Sequence, residues 1–309
     1  MTSFDIETDS HVRISEAPAS PDSAPSSAPM QPSASVLTCG EARDVDCEIV
    51  IPVYNEQEEL GSSIMLLMDQ LGELSQHARS FTWQIVIADN ASSDKTWSLA
   101  CILAGKFPFT VRALRIPQKG RGRALKIAWT ASRARVRAYM DVDLSTDIRQ
   151  IPELIGPILD GRADVSFGSR LLERSVVDRS LKREIISRSY NRMLQRYLHV
   201  GFHDAQCGFK AISAEAAEAL LPLIEDNEWF FDTELLVRAE RMGIATNEFA
   251  VRWREDPGST VHIIDTVRKD LAGMKRMHDE QICPKSPRAG LHVRDNRFRY
   301  PAESAADAR

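Results

Sequence analysis

The sequence predicts an α/β fold with a mainly parallel central sheet flanked by helices. Short apolar runs typical of buried strands alternate along the chain with segments of helical periodicity. Several of these runs end in polar residues, and one leads directly into Asp141 and Asp143. Sheets of this class bind ligands outside the carboxyl ends of their strands, so these polar residues mark the expected site.

The first predicted strand, residues 49–51, is apolar and ends at Pro52. A helix is predicted over roughly 56–76, where leucine and isoleucine recur at helical spacing. Four further strands are predicted by the segments WQIVIADN, FTVRALRIP, VRAYMDVD and ADVSFGSR. Between them, helices are predicted from about Lys95, over GRALKIAWTASRA, and over roughly 151–160. This alternation is what parallel strands joined by helical crossovers require.

Composition divides the chain into three parts. Residues 1–45 are rich in Pro, Ser and Ala and predict a disordered segment, because they bury too little apolar surface to offset the entropy of ordering. A folded domain is predicted over 46–280, and a polar, flexible tail over 281–309.

The bulk composition predicts a soluble, cytoplasmic protein. Of the 309 residues, 43% are hydrophobic and 27% are charged, and the net charge of −5 gives no basic character that would favour nucleic acid. The sequence shows neither the pattern of a signal peptide nor an apolar run of membrane-spanning length. Five cysteines without paired metal spacing are interpreted as reduced thiols: Cys39, Cys47, Cys101, Cys207 and Cys283.

Asp141 and Asp143 are the main candidates for a functional site. Residues i and i+2 of an extended chain point to the same side, so the two carboxylates would repel each other unless a cation lies near them. Mg²⁺ prefers a few carboxylate oxygens together with substrate phosphates, which suggests a metal–diphosphate site. A solvated acidic turn, with Asp147 capping the next helix, explains the same residues about equally well.

Polar residues also follow the other predicted strands. Asp89 could accept a hydrogen bond from a base or a ribose. Two glycines at 120 and 122 permit close backbone approach, and Lys119 and Arg121 add positive charge beside them. The end of the first strand carries Pro52, Tyr54, Asn55 and Glu56.

Four segments together, VIPVYNEQEEL, IVIADNASSDKT, KGRGRALKIA and YMDVDLSTD, resemble the family 2 inverting glycosyltransferases, which have a GT-A nucleotide-sugar-binding fold. The resemblance covers residues 47–275 and implies a nucleoside-diphosphate sugar donor, with Mg²⁺ or Mn²⁺ held by Asp141 and Asp143. Arg121 stands where the glycine loop of the family often carries lysine. The implied nucleotide-sugar-binding residues are Pro52, Tyr54, Glu56, Asp89, Lys119 and Arg121.

The stretch from Arg170 to Arg196 contains eight basic and three acidic residues. It can be interpreted as a solvated basic helix or as a phosphate site, since Arg183 and Ser187 share one helix face. With DAQCGFK and FFDTELL, the stretch resembles the dolichyl-phosphate mannose and glucose synthases. That resemblance implies a polyprenyl phosphate acceptor bound by Arg170, Arg183 and Ser187, with Gln206 in the sugar pocket.

The predicted activity is therefore inverting transfer of a hexose, glucose or mannose, from a UDP- or GDP-sugar to a polyprenyl phosphate. Phosphate is already anionic and needs little help from a base, whereas a hydroxyl acceptor, soluble or on a glycolipid, would make Asp232 the candidate base. A phosphohydrolase resembling the haloacid dehalogenases and a non-catalytic nucleotide-sugar-binding module are the alternatives from other classes.

The segment HIIDTVRKDLAGMKRM, residues 262–277, has apolar residues at helical spacing beside basic ones. We expect this stripe either to pack on the domain, which is the more common arrangement, or to lie on an anionic membrane surface. In the second case the enzyme would contact the inner face of the plasma membrane peripherally.

Overall fold

The computed structural model describes residues 36–77, 80–255 and 263–280. Side chains are described within these ranges except at 77 and 263–267. In chain order the elements are β1 (Leu37–Cys39), β2 (Cys47–Val53), α1 (Leu60–His77), β3 (Trp83–Asn90), α2 (Thr96–Lys106), β4 (Val111–Ile116), α3 (Arg121–Thr130), β5 (Val136–Met140), α4 (Ile151–Leu159), β6 (Val165–Ser169), β7 (Val176–Asp178), α5 (Leu181–Leu198), β8 (Phe209–Ser213), α6 (Ala214–Leu220), α7 (Phe231–Arg241), β9 (Thr246–Ala250), β10 (Arg252–Arg254) and α8 (Ile263–Asp279).

The predicted α/β fold with a mainly parallel sheet is confirmed. Eight strands form one sheet in the order β1-β4-β3-β2-β5-β8-β6-β9. Strands β4, β3, β2 and β5 run parallel to one another, and β6 runs parallel to β9. Strand β8 lies antiparallel between β5 and β6, and β1 is antiparallel to β4 at the edge. Strands β7 and β10 form a separate parallel pair.

Strand β2 shows why the sheet is buried on both faces. Successive side chains of a strand point to opposite faces, and from Ile49 to Val53 both sets of β2 are apolar. Ile49 and Ile51 join the core beneath α1, α2 and α4, whereas Val50 joins the core beneath α3, α6 and α7. The helices therefore cover both faces, and the carboxyl ends of β2, β3 and β5 remain at one edge.

Two cysteines correct the interpretation that all five are reduced thiols. Cys39 in β1 and Cys101 in α2 form a disulfide that joins residues separated by 62 positions. Spacing along the sequence carried no sign of this pair, because only the pairing of β1 with β4 brings Cys39 toward α2. Cys47 and Cys207 are buried free thiols.

The edge strand β1 also lies inside the segment that composition predicted to be disordered. Leu37 pairs with Arg115 and Cys39 pairs with Ala113, both in β4. Strand β1 is held by backbone hydrogen bonds and a disulfide, so its order does not require the buried apolar surface on which the prediction of disorder was based. Residues 1–35 and 281–309, for which disorder and a flexible tail were predicted, lie outside the described residues.

Helix α8 packs on the domain, the more common of its two expected arrangements. Met274 and Met277 are buried in the core, and a Cβ on Gly273 would come within 2.5 Å of the Phe230 ring. Leu271 remains exposed, while the side chains at 263–267 lie outside the described set. In the described part of the chain, no helix combines the length and apolar character needed to span a membrane.

Candidate active site

The loops after β2 and β3 are tied together at the carboxyl edge of the sheet. The Asn55 backbone N–H donates to Ser92 Oγ at 3.0 Å, and Asn55 Oδ1 accepts from the Ser93 N–H at 2.8 Å. The Glu56 N–H donates to Thr96 Oγ1 at 2.8 Å. Asn55 adopts a positive φ of 58°, which asparagine tolerates better than most residues. These contacts fix the polar loop that Pro52 begins.

Tyr54 and Lys119 face each other across this edge. The Lys119 ammonium lies 3.5 Å from the centroid of the Tyr54 ring, which is a cation–π contact. The contact places a cation and a flat aromatic surface side by side on the exposed rim, although the two residues are far apart in sequence.

Asp89 is fully buried at the end of β3. Its Oδ1 accepts from the Ser92 N–H at 3.2 Å, and Arg115 Nε lies 3.6 Å from Oδ2. Within the described residues, Oδ2 accepts no hydrogen bond. A buried carboxylate with an unused acceptor atom is suited to a donor group from a ligand.

The glycine segment requires glycine at both positions, Gly120 just before α3 and Gly122 in its first turn. Gly120 has a φ of 153°, and its N–H donates to Asn90 Oδ1 at 2.7 Å. A Cβ on Gly120 would lie 2.5 Å from the Asn227 carbonyl oxygen, and one on Gly122 would lie 2.6 Å from Phe231 Cβ. The loop therefore packs directly against residues 227–231, and α3 begins at Arg121 with its side chain directed into the site.

Arg121 joins two acidic residues that are far apart in sequence. Its Nη1 donates to Asp232 Oδ2 at 2.6 Å, and its Nη2 donates to Asp141 Oδ1 at 2.7 Å. The guanidinium also lies over the rings of Tyr139 and Trp229, at 4.9 and 5.1 Å. Burial alone would lower the pKa of Arg121, but Asp141 and Asp232 raise it well above its usual value.

Asp232 is buried behind Arg121 and is fully engaged. Lys210 Nζ lies 3.0 Å from its Oδ1, and the Tyr139 hydroxyl donates to the same atom. Burial would raise the pKa of Asp232, but Lys210 and Arg121 outweigh that effect, so the pKa is lowered. Lys210 and Tyr139 were not predicted as site residues, because each lies within a strand whose pattern indicates only core packing.

The pair of acids follows β5, but not as an extended strand. Strand β5 ends at Met140, and the Leu144 N–H donates back to the Asp141 carbonyl at 3.2 Å, which closes a turn. Leu144 has a positive φ of 49°. The prediction that Asp141 and Asp143 lie on one face of a strand is therefore wrong; the turn sets their directions.

Asp141 is held from two sides. Arg121 binds its Oδ1, and Gly208 lies so close to Oδ2 that a Cβ there would be only 1.8 Å away. Asp143 is exposed, and its Oδ1 accepts the Ser145 N–H at 3.0 Å. Asp147 caps a short 3₁₀ helix by accepting the Arg149 N–H at 3.1 Å, so the capping role suggested for it is confirmed.

A cleft of about 740 Å³ opens beside Asp143. Arg254 at the end of β10 also lines this cleft, together with Arg179 and Glu255. The sequence analysis did not single out Arg254, since β10 is only three residues long and pairs with β7 far away in sequence. Charged side chains of both signs therefore line the cleft: the acids Glu59, Asp143, Asp178 and Glu255 and the arginines Arg179 and Arg254.

The residues implied to bind an acceptor phosphate occupy different surroundings. Arg170 makes a bidentate contact with Asp204, with Nε at 2.7 Å and Nη2 at 2.9 Å from the two oxygens. Burial would raise the pKa of Asp204, but Arg170 lowers it to about 2. Arg183 Nη1 lies 2.8 Å from Glu255, which lines the cleft beside Asp143. Ser187 is half-buried one turn further along α5.

Gln206 connects the site to α8. Its Nε2 donates to Asp270 Oδ2 at 3.0 Å, and Asp270 is almost completely buried. Burial raises the pKa of Asp270 to about 6. Cys207 is buried beside Gln206, and burial raises the pKa of its thiol to about 12, in agreement with a packing role rather than thiol chemistry.

The described residues contain no group of three or more His, Cys, Asp or Glu side chains arranged to hold a metal. Mg²⁺ and its substitutes need only one or two protein carboxylates when substrate phosphates complete the coordination. Asp141 fits this requirement, since its carboxylate is partly exposed and the missing side chain of Gly208 leaves room for it. Carboxylate oxygens are also the donor type that such hard cations prefer.

A family model described as "Glycosyl transferase family 2" matches residues 48–221. The chain belongs to glycosyl transferase family 2. The matched segment contains the loops after β2, β3 and β5 and the glycine loop, which are the parts that form the site. The phosphohydrolase alternative, which belongs to a different family, is therefore not supported.

Two curated relatives illustrate the family. Glycosyltransferase AglD of Haloferax volcanii is 38% identical over 233 residues, which cover 75% of this chain and 36% of the relative. A dolichyl-phosphate beta-glucosyltransferase of Dictyostelium discoideum is 31% identical over 219 residues, covering 68% of this chain and 67% of the relative. The chain thus spans about a third of the first protein and two thirds of the second.

The fold is the GT-A fold of solved glycosyltransferases. Glucosyl-3-phosphoglycerate synthase of Mycobacterium tuberculosis, crystallised with UDP, superposes with a TM-score of 0.56 at 20% identity, covering 76% of this chain and 80% of that one. Another structure of the same synthase, with Mn²⁺, UDP-glucose and phosphoglyceric acid, gives a TM-score of 0.54 at 19% identity, covering 76% and 80%.

Proposed function

We propose that this family 2 glycosyltransferase transfers a hexose, glucose or mannose, from a UDP- or GDP-sugar to a polyprenyl phosphate, with inversion at the anomeric carbon. The observation that carries the proposal is the position of Asp141, which Arg121 and Gly208 hold at the edge where the loops after β2 and β3 meet. Curated relatives named dolichyl-phosphate beta-glucosyltransferases support the acceptor class.

We assign the donor nucleotide to the edge formed by the loops after β2 and β3. Asp89 offers a buried acceptor oxygen for a base or ribose donor, and Tyr54 offers an aromatic ring on the loop after β2. Pro52 and Glu56 complete this loop as the sequence implies. Lys119 and Arg121 supply positive charge toward the diphosphate.

Asp141 and Asp143 would hold Mg²⁺ or Mn²⁺ together with the diphosphate oxygens. A bound cation at this position neutralises charge that develops on the departing nucleoside diphosphate. Arg121 supports this cation site by binding one oxygen of Asp141, which leaves the other oxygen directed over Gly208. The preorganised carboxylate then needs no rearrangement when the donor arrives.

The acceptor phosphate attacks without a protein base. A phosphate oxygen forms the new bond to the anomeric carbon while the bond to the β-phosphate oxygen breaks, and the nucleoside diphosphate leaves with that electron pair. Asp232 is bound to Arg121, Lys210 and Tyr139 and stays ionised, so we assign it a positioning role in place of the base role considered from the sequence.

The acceptor phosphate would approach through the cleft beside Asp143. Arg254 lines this cleft together with Asp143, and Arg183 contacts Glu255, which lines it as well. Ser187 lies on the same helix face as Arg183. Arg170 is bound to Asp204, so its contribution would be to hold the backbone that follows β6 in place.

Transfer to lipid tests the proposal directly. The full-length chain is incubated with radiolabelled UDP-glucose or GDP-mannose, Mn²⁺ or Mg²⁺, and either a polyprenyl phosphate or the matching polyprenol. We expect solvent-extractable label with the phosphate and background label with the alcohol. Equal labelling of the polyprenol would favour a hydroxyl acceptor, and absence of lipid label with every donor would contradict the proposal.

A further inference from the structure

The outer side of α5 carries apolar and basic side chains that are exposed; Tyr197, at one end of it, also stacks on His278 of α8 with 4.5 Å between ring centroids. Leu181 is 81% exposed and Ile185 is 65% exposed, although both are large aliphatic residues. Further along, Ile186, Met193 and Tyr197 are also exposed. Apolar side chains exposed along several turns of one helix are unusual on a soluble surface and mark an interaction site.

Helical spacing places these residues on one side of α5. At about 100° per residue, the arc from Leu181 through Ile185 to Tyr197 covers roughly 160° of the helix. The opposite side is the packed one, with Leu194, Leu198 and Asn191 buried in the core. We call the exposed set the α5 face; it comprises Leu181, Lys182, Ile185, Ile186, Ser189, Arg192, Met193, Arg196 and Tyr197.

Charge on the α5 face has a single sign. Lys182, Arg192 and Arg196 are exposed, and none of them forms an ion pair with any residue that the structure describes. The one acidic residue of α5, Glu184, lies outside the arc and binds Arg179 and Arg188. The face is therefore cationic and apolar, although the whole chain has a net charge of −5.

We propose that the α5 face docks on the surface of a membrane containing anionic lipids. Such a surface offers both phosphate groups for the three cations and an apolar boundary for the aliphatic side chains. A second copy of the chain fits less well, because a two-fold interface would bring the same three cations against each other. An acidic protein partner would pair with the three cations but would offer no apolar region for the aliphatic side chains.

The position of the face relative to the active site agrees with a lipid surface. Arg183 lies at the edge of the same helix and contacts Glu255, which lines the cleft beside Asp143. Docking of α5 would therefore bring the mouth of this cleft close to lipid headgroups. The inference itself stands on the exposure and charge of α5 and does not require the proposed transfer activity.

Vesicle sedimentation tests the inference without any sugar donor. The full-length chain is mixed with vesicles of phosphatidylcholine alone or with about one third phosphatidylglycerol, at low and high salt. We expect binding to the anionic vesicles only, with weaker binding at high salt. Arg192→Ala with Arg196→Ala should reduce the partition coefficient roughly 30-fold, since each cation near the surface contributes about a fivefold factor.

The apolar contribution is tested separately. Leu181→Ser with Ile185→Ser should reduce anionic-vesicle binding roughly tenfold or more, and both side chains are exposed enough that folding is retained. The matched control replaces two aliphatic residues exposed on other helices, Leu66→Ser with Ile102→Ser, and should bind like the wild type. Circular dichroism melting checks that every variant is folded.

Three results would overturn the inference: no binding of the wild type to anionic vesicles, undiminished binding of both α5 variants, or an equal loss in the control. Light scattering coupled to size exclusion provides the remaining comparison. A dimer that Leu181→Ser with Ile185→Ser dissociates would assign the α5 face to self-association and contradict the membrane assignment.

Discussion

Gly208 lies directly against the carboxylate of Asp141, and a Cβ at Gly208 would be only 1.8 Å from Oδ2. Only glycine leaves Asp141 in its observed position. Gly208 belongs to the segment between Asp204 and Lys210, which also supplies the contacts of Arg170 and Asp232. This short segment therefore fixes both the acid that would meet the diphosphate and the cations around it.

Gly208→Ala should therefore reduce the transfer rate strongly. A displacement of about 1 Å of a catalytic group costs on the order of 100-fold in rate, and we expect a kcat reduction of that size. Steady-state transfer assays measure it, with the melting temperature as a check on folding. Gly72→Ala on α1 is the matched control, because no atom lies within 4 Å of a Cβ there. Wild-type kcat in Gly208→Ala would show that Asp141 tolerates displacement.

Arg121→Lys tests the bridge between Asp141 and Asp232. Lysine keeps the charge but presents one nitrogen, whereas Arg121 uses two nitrogens to reach both carboxylates. Loss of one hydrogen bond between charged groups costs about 1.5–3 kcal/mol, so kcat/KM should fall by roughly 10- to 100-fold. Arg135→Lys, at an exposed pair with Asp46, should leave kcat/KM unchanged. Equal kinetics for the two variants would contradict a role for the bridge.

The parts of the fold that a single local sequence pattern determines were predicted correctly. The alternation of apolar runs predicted β2, β3, β4, β5 and β6 in order, and the glycine loop was placed correctly before α3.

The failures share a physical cause, which is dependence on contacts between distant segments. Lys210 and Tyr139 became site residues only because β8 pairs antiparallel with β5. The disulfide of Cys39 depends on β1 adding to β4. The directions of Asp141 and Asp143 depend on a turn that starts at Asp141, inside the segment that the strand pattern covered.

Asp270→Asn should change how stability depends on pH. The pKa of Asp270 is raised from 3.8 to about 6. The stabilisation that the folded state gains from protonated Asp270 is therefore fully present below about pH 4 and is lost as pH rises through 6. A shift of about two pKa units lowers the free energy of unfolding at neutral pH by about 3 kcal/mol relative to its value below pH 4. The variant should lose little stability at pH 7 and more at pH 4, as measured by urea unfolding across this range. Asp69→Asn, an exposed acid on α1, is the control; parallel stability curves for wild type and Asp270→Asn would contradict the assignment.

The disulfide between Cys39 and Cys101 should stabilise the edge of the sheet. A bridge that closes a loop of this length contributes about 2–4 kcal/mol, chiefly by restricting the unfolded chain. Reductant should therefore lower the melting temperature of the wild type by several degrees. Cys39→Ser should melt at the lower temperature with or without reductant. A wild type that does not respond to reductant, with a mass spectrum showing free Cys39, would contradict the bridge.

Calorimetric binding of UDP and GDP to the full-length chain, with and without Mn²⁺, tests the central claim most directly, because it asks whether Asp143 joins the cation to the nucleotide. We predict that Mn²⁺ tightens binding of the preferred nucleotide to the wild type at least tenfold and that Asp143→Asn removes this increment. Asp147→Asn, at the acid that caps the neighbouring 3₁₀ helix, should retain it. A metal-dependent increment of wild-type size in Asp143→Asn would contradict the account.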